Sequence, residues 1–592
     1  MKKSILTTAA ILSAFAFAQA QEITVSSDII SDTTWGDNES VVILEKPIFV
    51  KSGATLTIQK GTIVRGQPRS AAVSTGQIAG SPGALIVTRT GRIVAAGESD
   101  DPIIFTTAAV DNNNDGIADA SGDYYDTYSA GDTYLDAQPA LYPLAPLDAS
   151  GNSNVGLWGG MVILGSAPIN ALGAQTTENN DADWGTVQVE GLITPGFAAA
   201  DVTFGGVVPS DSSGSLEYVS IRHAGDEIGE GNELNGLTLG GVGYGTKLEN
   251  IEIYCNFDDG FEWFGGTVFG KNLVATFIGD DSFDMDKGYT GMNQNLFAVL
   301  PFFQENDYDA SAESGYFGSA GGDKGCEWDG DDSGVDTGVI VRADEAGSIF
   351  DDTASPLSGP VVFNMTILGS APEEDALDGD SNVDFSAVKK RGGVLGIRMR
   401  HGFAGFLVNS LILNTGTKKG IEIKNDNEGS AANSSVEQNV NNGALAVLAP
   451  SFYQTNVDAS GVAATTFGTT EESALAAGDA LTLAKTSSTQ VINYRNVNFN
   501  AAGAVRNDDT TFNPQGATGV SSNSAAGVLS GALKATKLDP RPLNALATLR
   551  TTEPFGPGIE ATPVRGAFTS STSTELWTKG WTALSIGGIM AD

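Results

Sequence analysis

Paired acidic residues recur in the middle of the sequence at the spacing of one short repeat. The phrase Asp258–Glu262 reads DDGFE, and 22 residues later Asp280–Asp284 reads DDSFD. If positions one repeat apart lie side by side on neighbouring strands, the acids of the two phrases are about 4.8 Å apart. Like charges that close repel by roughly 1 kcal/mol in water, and by more where water is excluded. A bound cation, a basic neighbour or full solvation must therefore balance them.

A third acidic phrase extends this pattern. Glu327-Trp328-Asp329 repeats the pair Glu262-Trp263 65 residues later, close to three further repeats. We expect these phrases to align on one face of the fold, where they form an acidic strip for a metal or a ligand; solvated turn residues are the alternative. The predicted strip consists of Asp259, Glu262, Asp281, Asp284, Asp286 and Asp329.

The segment Asp111–Asp119 reads DNNNDGIAD, in which oxygen-bearing side chains alternate before a glycine that permits a sharp turn. Short calcium-binding loops have this arrangement. The pattern resembles the calcium loops of thrombospondin type-3 and dockerin-like repeats. It departs from an EF-hand at Gly122, where a bidentate glutamate is expected, so a solvated Asn/Asp turn is the alternative. The predicted Ca²⁺ ligands are the side chains of Asp111, Asn113, Asp115 and Asp119 and the carbonyl oxygen of Ile117.

The elements that position these acids are short β-strands in a repeat of 22 to 23 residues. Glu249-Asn250-Ile251, Lys271-Asn272-Leu273 and Gln294-Asn295-Leu296 are the same phrase on three successive repeats. Apolar and polar residues alternate, Gly and Asx pairs separate the runs, and no unit contains a long helical pattern. A repeat of this length is one supersecondary unit stacked on its neighbours. The sequence therefore predicts an all-β solenoid, a parallel β-helix, with the three asparagines at equivalent positions and the residue after each pointing inward.

Composition limits the partners of this chain. Its 592 residues include 72 Asp and Glu against 32 Lys and Arg, which gives a net charge of −40. Nucleic acid and anionic membrane surfaces repel such a chain, so we predict no nucleic-acid partner. Cations, or glycans that cations bridge, suit it better.

The first 20 residues have the pattern of a secretory signal peptide. Lys2 and Lys3 precede an apolar stretch, Ile5–Phe17, and Ala18–Ala20 is a small-x-small cleavage signal. No later segment has 18 consecutive apolar residues, so no transmembrane segment is predicted. We expect an exported protein, and the oligomeric state stays open.

Several phrases together resemble a family of exported bacterial proteins. They are GATLTIQKGTIVRG from Gly53, GLWGGMVILGSAPIN from Gly156, LEYVSIRHAGDEI from Leu216 and DDGFEWFGG from Asp258. The resemblance covers about residues 40–430 and the closing Trp577–Thr582. It implies a right-handed parallel β-helix of the pectin-lyase-like superfamily, in the periplasm, at the cell surface or outside a bacterium. It implies no single activity, because this fold carries lyases, glycosidases, adhesins and structural proteins.

Two kinds of glycan-cleaving enzyme fit part of the sequence. Gly279-Asp280-Asp281 resembles the acidic signature of polygalacturonase-like β-helix glycosidases, whose paired carboxylates act as acid and base, but their Gly-His-Gly and Arg-Ile-Lys signatures are absent. A polysaccharide lyase needs a cation that acidifies the sugar α-proton and a basic residue that removes it. The candidate catalytic residues are Asp280 and Asp281 as acids and Lys287, Arg398 and Arg400 as bases, with structural salt bridges as the alternative role of the basic residues.

Aromatic residues near the acids suggest a binding surface. Trp263, Phe264, Tyr289 and Trp328, with the tyrosines of residues 123–142, could stack on sugar rings. The alternative is that Phe261 and Phe283 stack inside the coils and that the tryptophans cover coil edges.

The sequence has two cysteines, Cys255 and Cys326. An exported protein could join them in a disulfide, which closes a loop of about 70 residues. The alternative is a buried thiol at Cys255, which continues the inward alternation of Ile251 and Ile253.

The chain divides by composition into five parts. They are a signal peptide (1–20), an N-terminal cap with the first coils (21–107), an acidic Tyr-rich insertion (108–155), central coils (156–430), and C-terminal coils with an irregular cap (431–592). A cap is needed because the end of a coil is an exposed sheet edge. The favoured function is an exported, calcium-stabilised protein that binds polysaccharide or cell-surface glycan, or that builds surface structure. The alternative is a polysaccharide lyase or glycosidase that acts on an acidic glycan, so whether the protein is an enzyme stays open.

Overall fold

Strands make up almost all of the regular structure in a computed structural model of the chain. It describes residues 22–36, 41–70, 80–121, 124–129, 131–136, 154–170, 185–189, 192, 197–229, 232–300, 324–330, 358–369, 395–424, 445–448, 451–456, 489–491, 505–507, 537–542, 560, 565–569 and 574–592. The predicted signal peptide lies outside the described residues, as do residues 122–123, 130 and 137–153 of the predicted Tyr-rich insertion. No helix in the described ranges is long and apolar enough to cross a membrane.

The elements follow one another in short runs. In chain order they are β1 (Glu22–Val25), β2 (Thr33–Trp35), β3 (Val41–Leu44), β4 (Pro47–Val50), β5 (Thr55–Gln59), β6 (Ile63–Gly66), β7 (Ala84–Val87), β8 (Arg92–Ala96), β9 (Ile103–Thr107), β10 (Ala120–Ser121), β11 (Tyr124–Tyr125), β12 (Gly160–Leu164), β13 (Val187–Gln188), α1 (Ala199–Val202), β14 (Thr203–Phe204), β15 (Gly214–Arg222), β16 (Glu227–Gly229), β17 (Asn232–Glu233), β18 (Leu237–Gly240), β19 (Lys247–Tyr254), β20 (Phe261–Phe264), β21 (Phe269–Thr276), β22 (Phe283–Asp286), β23 (Met292–Val299), β24 (Lys324–Asp329), β25 (Val361–Phe363), β26 (Thr366–Leu368), β27 (Leu395–Arg400), β28 (Gly405–Val408), β29 (Leu411–Lys419), β30 (Ile421–Lys424), β31 (Leu445–Leu448), β32 (Ser451–Asn456), β33 (Thr489–Val491), β34 (Val505–Asn507), β35 (Leu538–Pro542) and α2 (Ala583–Ile586).

These strands stack into two large sheets that form the three faces of a parallel β-helix. Sheet B has the order β33-β30-β27-β24-β22-β20-β18-β12-β7-β4, and its pairs are parallel except β30–β33. Sheet A has two arms: β2-β5-β8-β15-β19-β21-β23-β25-β28-β31, and β1-β3-β6-β9-β15-β19-β21-β23-β26-β29-β32. The strands β15, β19, β21 and β23 run through both arms. The all-β parallel β-helix predicted from the repeat is confirmed.

The bend between the two arms falls at one left-handed residue in each coil. Asn250, Asn272 and Asn295 have φ values of 58°, 56° and 59°, a backbone region that asparagine tolerates better than most residues. The Asn272 Nδ2 atom donates to Asn250 Oδ1 at 2.9 Å, and Asn295 Nδ2 donates to Asn272 Oδ1 at 2.8 Å. The residues that follow are buried and pair in register, as predicted: Ile251, Leu273 and Leu296.

Asn272→Ala is expected to destabilise the protein by about 2 kcal/mol. Alanine removes the side-chain hydrogen bonds to both Asn250 and Asn295, each with a net contribution of about 1 kcal/mol, and it lacks the short polar side chain that lets asparagine adopt a left-handed backbone. Asn272→Gly loses the same hydrogen bonds but adopts this backbone without strain, so it should cost less. Urea unfolding of the two variants measures the difference. Equal losses would contradict the contribution of the left-handed bend.

The interior of the coils is filled by aromatic and aliphatic side chains. Phe261 and Phe283 stack with ring centroids 5.4 Å apart, which confirms the predicted internal stack. Trp263, Tyr289 and Trp328 are at most 1% exposed. Because these three rings lie inside the solenoid, they cannot contact a glycan, and their predicted role in a sugar-stacking platform is wrong. The alternative role of these tryptophans as covers of coil edges is wrong for the same reason.

The two cysteines are buried and no disulfide joins them. Cys326 lies in the interior of the solenoid, whereas Cys255 packs in an outer apolar cluster with Tyr254 and Phe277. Cys255 has a left-handed backbone, with φ of 54°, which turns its side chain out of the inward alternation that its spacing suggests. The predicted disulfide is therefore wrong, and so is the inward position of Cys255.

The described end of the chain packs along the side of the coils. Strands β31 and β32 pair with β28 and β29 and continue the solenoid. Residues 574–592, which include α2, then lie against the outer face of the second arm of sheet A. A cap over the last coil stays a prediction, because residues 457–488 and 508–536 lie outside the described ranges.

Candidate functional site

The outward face of sheet B changes from apolar to charged along the solenoid. In the early coils Ile86, Val162 and Leu164 pack beneath Val202 and Phe204 of the segment that contains α1. From β20 onward, alternate residues point into the core and the residues between them point outward, because side chains in a strand alternate between faces. The charged outward residues of β20, β22, β24 and β27 are Glu262, Asp284, Asp286, Glu327, Asp329, Arg398 and Arg400.

Asp259, Glu262 and Asp284 form the centre of this face, and we refer to them as the carboxylate triad. One carboxylate oxygen from each lies within 4.8 Å of the others, and the same holds for Asp258, Asp259 and Asp280. Glu262 pairs with Asp284 in register. The backbone N–H of Asp281 donates to Asp259 Oδ1 at 2.8 Å. The structure thus brings together the acids that the 22-residue spacing places side by side.

Basic side chains divide the predicted acidic strip into two groups. Three of its members are ion-paired: Lys324 Nζ is 3.3 Å from Asp281 Oδ2, Lys287 Nζ is 2.8 Å from Asp286 Oδ2, and Arg400 Nε is 2.8 Å from Asp329 Oδ1. The triad supplies the other three. Within the described part of the chain no lysine, arginine or histidine nitrogen lies within 4.0 Å of a triad carboxylate. The triad therefore has no direct ion pair among these residues, although the charges of Lys287 and Arg400 act on Glu262 and Asp284 at longer range.

The triad carboxyl groups are costly to ionise together. Burial raises the pKa of all three well above their usual range. Repulsion from Asp258 adds to this for Asp259 and Glu262, and repulsion from Glu262 adds to it for Asp284. At Asp329 burial also acts to raise the pKa, but hydrogen bonds from His401 and Arg400 outweigh it and lower the pKa.

A hard divalent cation fits this donor set. Calcium takes six to eight oxygen ligands at about 2.4 Å, so two oxygens on one ion can be no more than about 5 Å apart. The triad oxygens satisfy this limit. The Oδ1 atoms of Asp284 and Asp286 are buried and accept no hydrogen bond from the described residues. Buried acceptors of this kind need a proton or a cation.

The candidate bases of a lyase are held by carboxylates. Lys287 pairs with Asp286 and lies over the Phe264 ring, 4.8 Å from its centroid. Arg400 contacts both oxygens of Asp329 and also Glu327 at 3.0 Å, and Arg398 lies 3.5 Å from Glu327. The acid candidates Asp280 and Asp281 both face Lys324, at 3.9 and 3.3 Å. A catalytic role for these residues stays a prediction.

Three residues of this face were not predicted from the sequence. Lys324 is buried among Asp280, Asp281 and Glu327. Asn235 donates to Glu262 Oε2 and accepts from the Asp259 N–H, and His401 Nδ1 lies 3.4 Å from Asp329 Oδ2. The sequence contains a signal that could have predicted the position of Lys324. The alignment that matches Glu327 to Glu262 also matches Lys324 to Asp259, so it places a lysine on the acidic strip.

The predicted calcium loop is closed by its own backbone. Asp111 is fully buried, and its carboxylate accepts from the N–H groups of Asp115 at 3.2 Å and Gly116 at 2.9 Å. Asp115 Oδ1 accepts from Ile117 N–H, and Asp119 Oδ2 from Asn112 N–H. The carboxylates of Asp111, Asp115 and Asp119 are not among the described groups that converge within 4.8 Å. Calcium binding by Asp111, Asn113, Asp115, Ile117 and Asp119 stays a prediction.

Comparison with known protein families gives one match. The family model described as a pectate-lyase like beta helix domain matches residues 27–117 and 147–582. Neither the curated proteins nor the solved structures include a significant match.

Proposed function

The chain belongs to the pectate-lyase-like β-helix family, and from that premise we propose that it is an exported protein that binds an acidic polysaccharide through calcium at the carboxylate triad. Family membership supports a polysaccharide-related function and a location outside the cytoplasm. The site we propose lies on the outward face of sheet B at Asp259, Glu262 and Asp284, with Arg398 and Arg400 two strands beyond Asp284.

The single observation that carries this proposal is the charge balance of that face. The triad carboxylates converge within 4.8 Å, and no lysine or arginine nitrogen of the described residues lies within 4.0 Å of them, whereas each of the other acids of the strip has such an ion pair. A cation supplied by solvent would neutralise the triad and leave coordination positions for ligand oxygens.

The net charge of the whole chain favours an acidic ligand that is bound through a cation. A net charge of −40 repels a polyanion at long range. A calcium ion at the triad would offset most of the carboxylate charge there and could bridge the triad to a ligand carboxylate. Arg398 and Arg400 already pair with Glu327 and Asp329, so the cation is the group on this face that would attract the glycan. Binding should therefore need both the cation and an acidic glycan.

The test is binding to a panel of acidic polysaccharides with calcium and with chelator. We expect retention on at least one acidic polysaccharide in calcium and a loss of at least about tenfold in affinity in chelator. Neutral polysaccharides from the same panel are the control for nonspecific adsorption. Equal binding in both conditions, or binding to no acidic glycan, would contradict the proposal.

One observation favours glycoside hydrolysis as a second candidate function. Oxygens of Glu262 and Asp284 lie within 4.8 Å of each other, and the two carboxyl groups of retaining glycosidases are also close together, roughly 5 Å apart. Burial and mutual repulsion raise the pKa of both groups, as a general acid requires. New reducing ends in the same incubations would support this candidate, and unsaturated products would support a lyase.

Calcium at residues 111–119 is a separate part of the proposal. Chelation should lower the melting temperature, and Asp115→Ala should remove part of the response, because Asp115 is one of the predicted ligands. Saturation at 100 times the dissociation constant contributes about 2.7 kcal/mol. Differential scanning fluorimetry across a calcium titration measures it, with Asp132→Ala, an acid outside the predicted ligand set, as control. A response identical in wild type and Asp115→Ala would leave the segment as an ordinary turn.

A further inference from the structure

The end of the chain covers the outer face of the second arm of sheet A. Outward side chains of β19, β21 and β23 pack there against residues 574–592. The arm contributes Tyr254, Val274, Phe297 and Val299, and the C-terminal segment contributes Leu576, Trp581, Leu584, Ile589 and Met590. All nine side chains are buried, so the segment is part of a second apolar core outside the solenoid.

A line of aromatic rings shows the direction in which the C-terminal segment crosses the strands of this arm. Phe568 meets Phe297 edge-on at 4.9 Å and stacks on Trp577 at 5.3 Å. Trp577 lies 6.3 Å from Trp581, which meets Tyr218 edge-on at 5.9 Å. Since Phe297 belongs to β23 and Tyr218 to β15, the line runs back across β21 and β19 toward the earlier coils.

One buried carboxylate interrupts this apolar face. Glu252 of β19 is fully buried. It accepts from Ser220 Oγ at 2.6 Å, and Arg222 Nε donates to the same Ser220 oxygen at 2.8 Å. Among the described residues a second donor is the backbone N–H of Ala583, 2.9 Å from both carboxylate oxygens and 331 residues further along the chain, and the charge of Arg222 also acts on Glu252. Burying a carboxylate is unfavourable unless donors satisfy it.

We propose that residues 574–592 are a latch that docks on the finished coils as a separate step, in a register set by the hydrogen bond from Ala583 to Glu252. The coils already exchange backbone hydrogen bonds from strand to strand along this arm, so their ladders form without the latch. Apolar contacts alone would allow the segment to shift along the outer face. A buried carboxylate is stable only when a donor reaches it, so Glu252 favours the one register that brings the Ala583 N–H to it. The part of the outer face that lies beneath residues 574–592 therefore stays uncovered until that segment docks. This inference does not depend on the proposed function.

Ala583→Pro in the full-length chain isolates this hydrogen bond. Ala583 is the first residue of α2, after the N-cap Thr582, and proline is well tolerated at that position of a helix. Thr582 has the extended backbone, with ψ of 152°, that a residue before proline adopts. The substitution thus removes the N–H and is compatible with the local backbone, and the proline Cδ, which replaces the amide hydrogen, also keeps the Glu252 carboxylate out of this contact. Ala583→Gly is the matched control, because it keeps the N–H.

Native-state amide hydrogen exchange, followed by mass spectrometry of peptides, is the readout. In Ala583→Pro we expect exchange in residues 574–592 to accelerate by at least about tenfold, since hydrogen bonds to charged groups are among the stronger ones. Exchange in β19 and β21 should be unchanged. Ala583→Gly should have a smaller effect on the latch.

Glu252→Gln tests the same contact from the other side and serves if the proline variant does not fold. It keeps an acceptor oxygen but loses the charge, so the latch should exchange faster while β19 does not. Parallel acceleration of the latch and β19 in these variants would overturn the proposal, because the segment would then belong to the cooperative unit of the coils. Equal effects of Ala583→Pro and Ala583→Gly would also overturn it, because the hydrogen bond would not hold the latch.

Discussion

Asp284→Asn is expected to stabilise the protein in chelator at neutral pH and, at the same time, to weaken its affinity for calcium by about tenfold or more. In chelator the ionisation of Asp284 is opposed by its burial and by repulsion from Glu262, with which it pairs in register, and from Asp281. An amide of the same shape removes that repulsion. With calcium present the same substitution removes a charged ligand, so the two effects have opposite signs.

Chemical unfolding across a calcium titration measures both effects. Glu249→Gln is the control, because Glu249 pairs with Lys247 at 3.2 Å on sheet A, away from the triad. It should change neither the stability in chelator nor the calcium midpoint. If Asp284→Asn also changes neither, the triad acids neither repel one another measurably nor bind calcium, and the proposed calcium site is wrong.

The pH dependence of stability gives the same experiment a second readout. Burial and repulsion raise the pKa of Asp259, Glu262 and Asp284 in the folded state. A carboxyl group with a raised folded pKa favours the folded state below its unfolded pKa of about 4, and that contribution is lost as pH rises through the folded pKa. Stability in chelator should therefore fall as pH increases above about 4, less steeply in Asp284→Asn.

Asp226, whose pKa burial raises to about 7, contributes equally to both proteins and cancels in the comparison. A slope that Asp284→Asn leaves unaltered would contradict the raised pKa of this group.

Phe283→Ala is expected to destabilise the protein by about 3–5 kcal/mol, the usual cost of removing a buried aromatic ring. Phe283 is fully buried, stacked on Phe261 and tilted against Trp263 at 6.4 Å. Because it directly precedes Asp284 on β22, the cavity should also loosen the triad and raise the calcium concentration needed for half saturation. The two neighbouring substitutions thus change stability in chelator in opposite directions.

Phe406→Ala is the matched control for the aromatic interior. Phe406 is half-buried on the outward side of β28, so its removal should cost about 1 kcal/mol. Urea unfolding at fixed calcium measures both variants. Equal losses at the two positions would show that the interior stack contributes no more than a surface ring, contrary to the fold described above.

The coil architecture and its acidic face follow from local patterns in the sequence. The repeat of Asn250, Asn272 and Asn295 determines the coil period, and the alternation of apolar and polar residues determines which side chains point outward. Both are local properties: strand side chains alternate with a period of two, and stacked coils must keep a constant length. Adjacent pairs such as Glu262 and Asp284 could be predicted for the same reason.

Contacts between distant parts of the chain were decided by the tertiary structure alone. Lys324 and Arg400 reach the acidic face from strands that long segments of irregular length separate from β22, and this determines which acids are ion-paired and which form the triad. A single left-handed φ at Cys255 turns its thiol away from Cys326. The Ala583 N–H meets Glu252 across 331 residues. No periodic pattern encodes such contacts, because they depend on where a whole segment packs and not on the spacing of residues within it.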